Sequence, residues 1–188
     1  MTRIRIAPIF ALVFAAGTSV ASAQTSSTAP ASPPPIPHPC NTMPEAKLFD
    51  FWIGSWDVTP WQLPAPTKAQ QMGTSEVYPI LEHCVISENW AGSRGGFGKS
   101  YNFYDTNVMK WRQIWIADSG GSLDYTGEFS NGAMRFVGWN LDPKGNRVEQ
   151  KLTFFAVAPD TVRQLFEQSA DGGKTWKPTF DGRYVKRH

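Results

Sequence analysis

LDYTGEFSNGAMRFVGWNLDPKGNRVEQKLTFFAVAPDTVRQLFEQS, residues 123–169, decides the fold. Four runs rich in aromatic and β-branched residues, 123–130, 133–141, 147–158 and 161–169, are divided by SNGA, DPKGN and APD. Those dividers supply the Asn, Gly, Asp and Pro that tight turns need. Within the runs, charged side chains alternate with apolar or amide ones, and a period of two belongs to a strand with one face on a core. Nothing between them is long enough for a crossover helix, so neighbouring strands join as antiparallel hairpins.

The same pattern extends in both directions. Further strands are expected at 51–59, 74–81, 84–90, 98–104 and 110–117, and one more at 175–185 after the turn ADGGK; a short helical turn is expected at 43–49. A meander of this kind removes its exposed edges by closing. The expected fold is all-β, an antiparallel up-and-down barrel of about 8–10 strands of the calycin or lipocalin kind. A sandwich is the alternative.

Two motifs suggest enzymes and are better read as turns. SADGGKTW (169–176) is the Asp-box of propeller glycosidases, but this chain holds one copy, and a propeller needs at least about four blades. Its local job is structural: Asp171 accepts hydrogen bonds from loop amides, Gly173 permits positive φ and Trp176 packs beneath the turn. SRGGFGKS (93–100) resembles a phosphate loop, yet Ser93 replaces the first Gly and a strand, YNFY, follows where a helix N-terminus is required. No G-x-S-x-G elbow is present, and His38, His83 and His188 are poorly placed as catalytic bases.

Alternation also assigns faces. With Arg112 outward, Trp111, Gln113 and Trp115 point inward; with Lys99 outward, Ser100, Asn102 and Tyr104 do. Arg147, Glu149 and Lys151 outward turn in Val148, Gln150 and Leu152, while Arg163 and Glu167 outward turn in Gln164, Phe166 and Gln168. Glu88 and Trp90 share a face that their own strand leaves open. An interior with so many amides and hydroxyls either pairs them with one another or lines a wet, ligand-sized cavity, because an unpaired buried polar group costs about 1–3 kcal/mol.

The N-terminal residues 1–23 carry Arg3 and Arg5, an apolar run and Ala21-Ser22-Ala23, which reads as a signal peptide cleaved after Ala23. Residues 24–39, QTSSTAPASPPPIPHP, read as a disordered tether, and 40–188 as a single barrel domain. Removing the signal takes away two of the 18 basic residues and none of the 16 acidic ones, so the mature chain is neutral. That balance argues against nucleic acid as a partner. The apolar run is shorter than the roughly 20 residues a membrane span needs. In an oxidising compartment Cys40 and Cys84 are expected to form a disulfide; a metal site with His38 or His83 lacks the usual ligand spacing.

Six segments, FDFWIGSWDV (49–58), HCVISENW (83–90), GKSYNFYD (98–105), KWRQIWIADSGG (110–121), VRQLFEQSADGGKTW (162–176) and FDGRYVKR (180–187), carry a resemblance. With their FDFWxGxWDV, WxQxW and SxDGGxTW motifs they resemble a widespread bacterial family of secreted proteins, annotated only as a domain of unknown function and regarded as calycin-like barrels. The resemblance implies the barrel and export, and brings no catalytic residues. Family members often carry His where Arg112 stands, and this chain has no His among its last strands except His188.

Together these readings point to a periplasmic or secreted barrel that binds a small, uncharged, partly aromatic or amphipathic molecule through Glu88, Trp90, Asn102, Trp111, Gln113, Trp115 and Gln164, with no cofactor and no metal. One alternative is a hydrolase or isomerase with Glu88 as acid or base. The other is a passive protein-interaction module.

Overall fold

A computed structural model of the chain describes residues 39–62 and 70–188. Residues 1–38, which hold the expected signal peptide and nearly all of the expected tether, and the segment 63–69 lie outside the described residues. Ten strands follow one another: β1 Gly54–Pro60, β2 Gly73–Ile80, β3 Val85–Gly92, β4 Phe97–Asp105, β5 Lys110–Ala117, β6 Ser122–Ser130, β7 Ala133–Leu141, β8 Arg147–Ala158, β9 Thr161–Ser169 and β10 Lys177–Lys186. Each pairs antiparallel with its neighbours in sequence, and β1 also pairs with β10, which closes the sheet into an up-and-down barrel. Among the described residues no helix is long and apolar enough to cross a membrane.

The hydrogen-bond register places the alternating residues on rows around the interior. One row runs Ile86, Asn102, Gln113, Tyr125, Gly138, Gln150 and Gln168, each opposite the next. Another runs Tyr104, Trp111, Gly127, Phe136, Leu152, Phe166 and Phe180. Because strands in a barrel tilt and stagger, such a row climbs along the axis as it goes round, so residues on one row face different depths.

Most strand boundaries shift by a residue or two from the sequence reading, and the starts of the first and last strands shift for reasons the structure shows. The first strand begins at Gly54, and Phe51 belongs instead to a 3₁₀ turn, Asp50–Trp52, preceded by another at Pro44–Lys47 and by a four-residue helical turn, α1, Pro39–Thr42. The sequence reading starts the strand at Phe51, but burial selects Phe49 and Trp52, both wholly buried. Three residues apart, they fall on one side of a 3₁₀ turn. The last strand starts at Lys177 because Thr175 is held in the preceding turn, its amide donating to Asp171 Oδ1 at 2.9 Å.

Phe49 and Trp52 plug one end of the barrel. Their rings lie 5.1 Å apart and stacked, and each packs on Phe154 at 5.0 and 4.5 Å respectively. Trp56 donates its indole N–H to the Trp52 carbonyl at 2.9 Å. Burying aromatic surface of this extent is the main favourable term at this end. The plug is tied to the β2–β3 turn twice. Cys40 and Cys84 form a disulfide with Cα atoms 5.0 Å apart, and His83 Nε2 lies 2.9 Å from Asp50 Oδ1. The ties hold a turn in which Leu81, Glu82 and His83 all take left-handed φ, of 50°, 53° and 69°, a conformation that costs about 1–2 kcal/mol per residue.

Candidate binding cavity

Away from the plug, five polar side chains from four adjacent strands form a chain of hydrogen bonds. Ser75 Oγ on β2 donates to Glu88 Oε1 at 2.8 Å, and Ser100 Oγ on β4 donates to Glu88 Oε2 at 2.9 Å. Asn102 Nδ2 donates to Ser100 Oγ at 3.0 Å and to the Ile86 carbonyl at 3.1 Å. Gln113 Nε2 on β5 donates to Asn102 Oδ1 at 2.5 Å. All five side chains are buried.

The Ile86 carbonyl sets the direction of this chain. A backbone carbonyl only accepts, so Asn102 must turn its NH₂ toward it and its oxygen toward Gln113. Gln113 then uses its NH₂ on Asn102 and keeps its own Oε1 as an acceptor, and the residue is one of those that line a cavity. Likewise Ser100, already accepting from Asn102, has its O–H available for Glu88.

The cavity has a volume of about 240 Å³. Glu88, Gln113, Gln164, Tyr125 and Tyr184 supply its polar lining, and Trp90, Trp115, Leu123, Leu152, Phe166 and Phe180 its apolar walls. Space for the indoles comes from missing side chains. A Cβ on Gly98 would sit 2.2 Å from the Trp115 ring, and one on Gly73 would sit 2.6 Å from that of Trp90.

Electrostatics distinguish Glu88 from every other acid among the described residues. It is 4 % exposed, and burial raises its carboxyl to about 7 against the opposing pull of the Ser75 and Ser100 hydroxyls. Tyr184, whose hydroxyl donates to Gln164 Oε1, is held well above the usual phenol range by burial and then by the charge of Glu88. Tyr125, which donates to Gln150 Oε1 at 2.8 Å, is raised by burial. Both phenols therefore stay neutral wherever Glu88 titrates.

Of the seven residues singled out from the sequence, the structure brings Glu88, Trp90, Gln113, Trp115 and Gln164 together around the cavity. Asn102 stands behind them as the link between Ser100 and Gln113. Trp111 is elsewhere. It points inward, but at the plugged end, where its ring meets Phe49 edge-on at 5.7 Å and Tyr104 at 6.2 Å. Sequence reasoning left out Tyr125, Tyr184, Leu123 and Phe180 as lining residues. Phe180 and Tyr184 carried the available signal, since they alternate with Arg183 and Val185 on the last strand.

SADGGKTW forms the turn between β9 and β10. Asp171 Oδ1 accepts from the Ser169 hydroxyl at 2.6 Å and from the Lys174 and Thr175 amides at 3.0 and 2.9 Å, while Oδ2 accepts from the Thr175 hydroxyl at 2.6 Å. Those bonds hold the Asp171 carboxyl far below the usual range. Gly172 and Gly173 take φ of 69° and 86°, and Trp176 donates to the Gly173 carbonyl at 3.0 Å. The motif is spent on its own turn, and no cavity-lining residue belongs to it.

The fold and site define a closed antiparallel barrel, plugged at one end, whose interior holds a buried acid beside an aromatic-walled cavity. No family model matches the chain, and no curated protein matches it in sequence.

Proposed function

We propose that this is an exported barrel that holds a small aromatic or amphipathic molecule in its interior without transforming it. The observation that carries this reading is the cavity itself: a few polar side chains share its wall with four aromatic rings and two leucines, the usual composition of a small-molecule site. Export is supported by the signal-like residues 1–23 and by the disulfide, which fits an oxidising compartment. On this reading the protein sits with the secreted calycin-like family whose motifs it resembles.

The test uses 2-phenylethanol as a probe, followed by calorimetry and by the fluorescence of Trp90 and Trp115. Saturable binding is expected in the wild type, and its loss in Leu123→Trp, which fills the cavity from the wall while keeping an apolar side chain. Absence of any saturable signal with small aromatic alcohols and aromatic amines alike, or unchanged affinity in a folded Leu123→Trp variant, would remove the binding role.

One observation favours a second reading, an acid–base enzyme. A carboxyl raised to about 7 gives and takes protons readily at neutral pH. Turnover of a bound compound that Glu88→Gln abolishes, with binding intact, would assign a hydrolase or isomerase instead.

A further inference from the structure

We propose that the molecule this cavity selects is a small organic cation, a primary ammonium on an aryl or alkyl body, whose N–H groups donate to Glu88 and to Gln113 Oε1. The inference rests on the binding role above and narrows it, replacing the uncharged ligand expected from the sequence.

The chain that starts at the Ile86 carbonyl ends in two residues that line the cavity and bring acceptor oxygens to it, Gln113 and Glu88. An ammonium has three donors and no acceptor, the complement of that pair. A hydroxyl donates once and so satisfies one of the two acceptors.

Charge points the same way. Among the described residues the cavity is lined by no Lys, Arg or His, so ionised Glu88 has two serine hydroxyls and no counter-charge. A buried carboxylate in that state is compensated either by a proton or by a cation brought from outside. A ligand ammonium supplies the cation at the place where it is missing, and a ligand carboxylate would be repelled there. Trp90, Trp115, Phe166 and Phe180 line the same cavity, side chains of the kind that attract a cation at the ring face and pack against an apolar body. The volume of about 240 Å³ corresponds to roughly eight water molecules at about 30 Å³ each, room for a one-ring amine.

Binding of such a ligand requires Glu88 to be ionised and is therefore linked to pH. The groups that face Glu88 leave it as the titrating partner. β2 presents Ser75 and Val77, β4 Ser100 and Asn102, β5 Gln113 and Trp115, and β9 Gln164, none of which ionises. β6 and β10 present the phenols of Tyr125 and Tyr184, both raised and neutral. Affinity should be highest above neutral pH, while the amine is still protonated, and weaken by about tenfold per unit as pH falls below the Glu88 transition.

The experiment compares 2-phenylethylamine, 2-phenylethanol and 3-phenylpropanoate by calorimetry at pH 8, in the wild type and in Glu88→Gln. The amine is expected to bind at least about tenfold tighter than the alcohol, with the acid weakest, and the variant to bind amine and alcohol alike. Equal or tighter binding of the alcohol by the wild type overturns the cation while leaving the binding role standing. Failure of all three overturns both. A pH series with the amine on wild-type protein provides a test independent of the variant: affinity that does not fall between pH 8 and pH 5.5 overturns the part assigned to Glu88.

Discussion

Glu88 is held between two opposing effects, loss of water, which favours its neutral form, and two serine hydroxyls, which favour its charge. Loss of water wins, and that has a sign that can be measured. A carboxyl raised from 4.5 to about 7 in the folded state adds stability that is fully present below its unfolded value and is lost as pH rises through its folded one. At about 1.4 kcal/mol per unit, the wild type should lose about 3 kcal/mol from this group between acid and mildly alkaline solution. Glu88→Gln should flatten that dependence. Urea unfolding at pH 5 and pH 8 checks it, and parallel losses in both proteins would place the effect elsewhere.

At the scale of the element, the β9–β10 turn concentrates its bonds on one carboxylate. Asp171→Ala should lower the unfolding midpoint and leave binding of an aromatic amine or alcohol unchanged, because the turn contributes nothing to the cavity lining. The stability Asp171 adds should be present above the unfolded carboxylate range, near about 3.9, and fade as pH falls through its lowered folded value. Glycosidase activity abolished by this substitution at unchanged stability would contradict a purely structural role. Strands and turns were legible in the sequence because alternation and turn chemistry are local properties. Faces were legible for the same reason: Arg112, expected outside, pairs there with Asp124 at 2.8 Å, leaving Trp111, Gln113 and Trp115 inside. Depth was not legible. Trp111 and Phe166 occupy one hydrogen-bonded row, yet Phe166 reaches the cavity and Trp111 the plug, a consequence of stagger that no single strand encodes. The plug itself was hidden because Phe51 and Trp52, aromatic and next to a strand, were read as its first residues, whereas they belong to the 3₁₀ turn Asp50–Trp52.

On the scale of the whole molecule, the disulfide spans 44 residues of sequence and fastens the plugged end. Thiol titration of unfolded, unreduced protein should find no reactive thiol, and reduction should cost about 4 kcal/mol of stability by the chain-entropy estimate for such a loop. Two titratable thiols in protein prepared from an oxidising compartment would remove the bond. The seam of the barrel works on a different axis, that of time. Trp56 pairs with Lys186 and Pro60 with Gly182, so a chain made from its N-terminus has β1 in hand long before the strand that must lie beside it exists. Until β10 arrives, both β1 and β9 present open edges, the geometry that invites pairing with other chains. The strand Lys177–Lys186 must therefore be made before the sheet can shut, and a product that stops before residue 177 is a candidate for quality control rather than a shorter barrel.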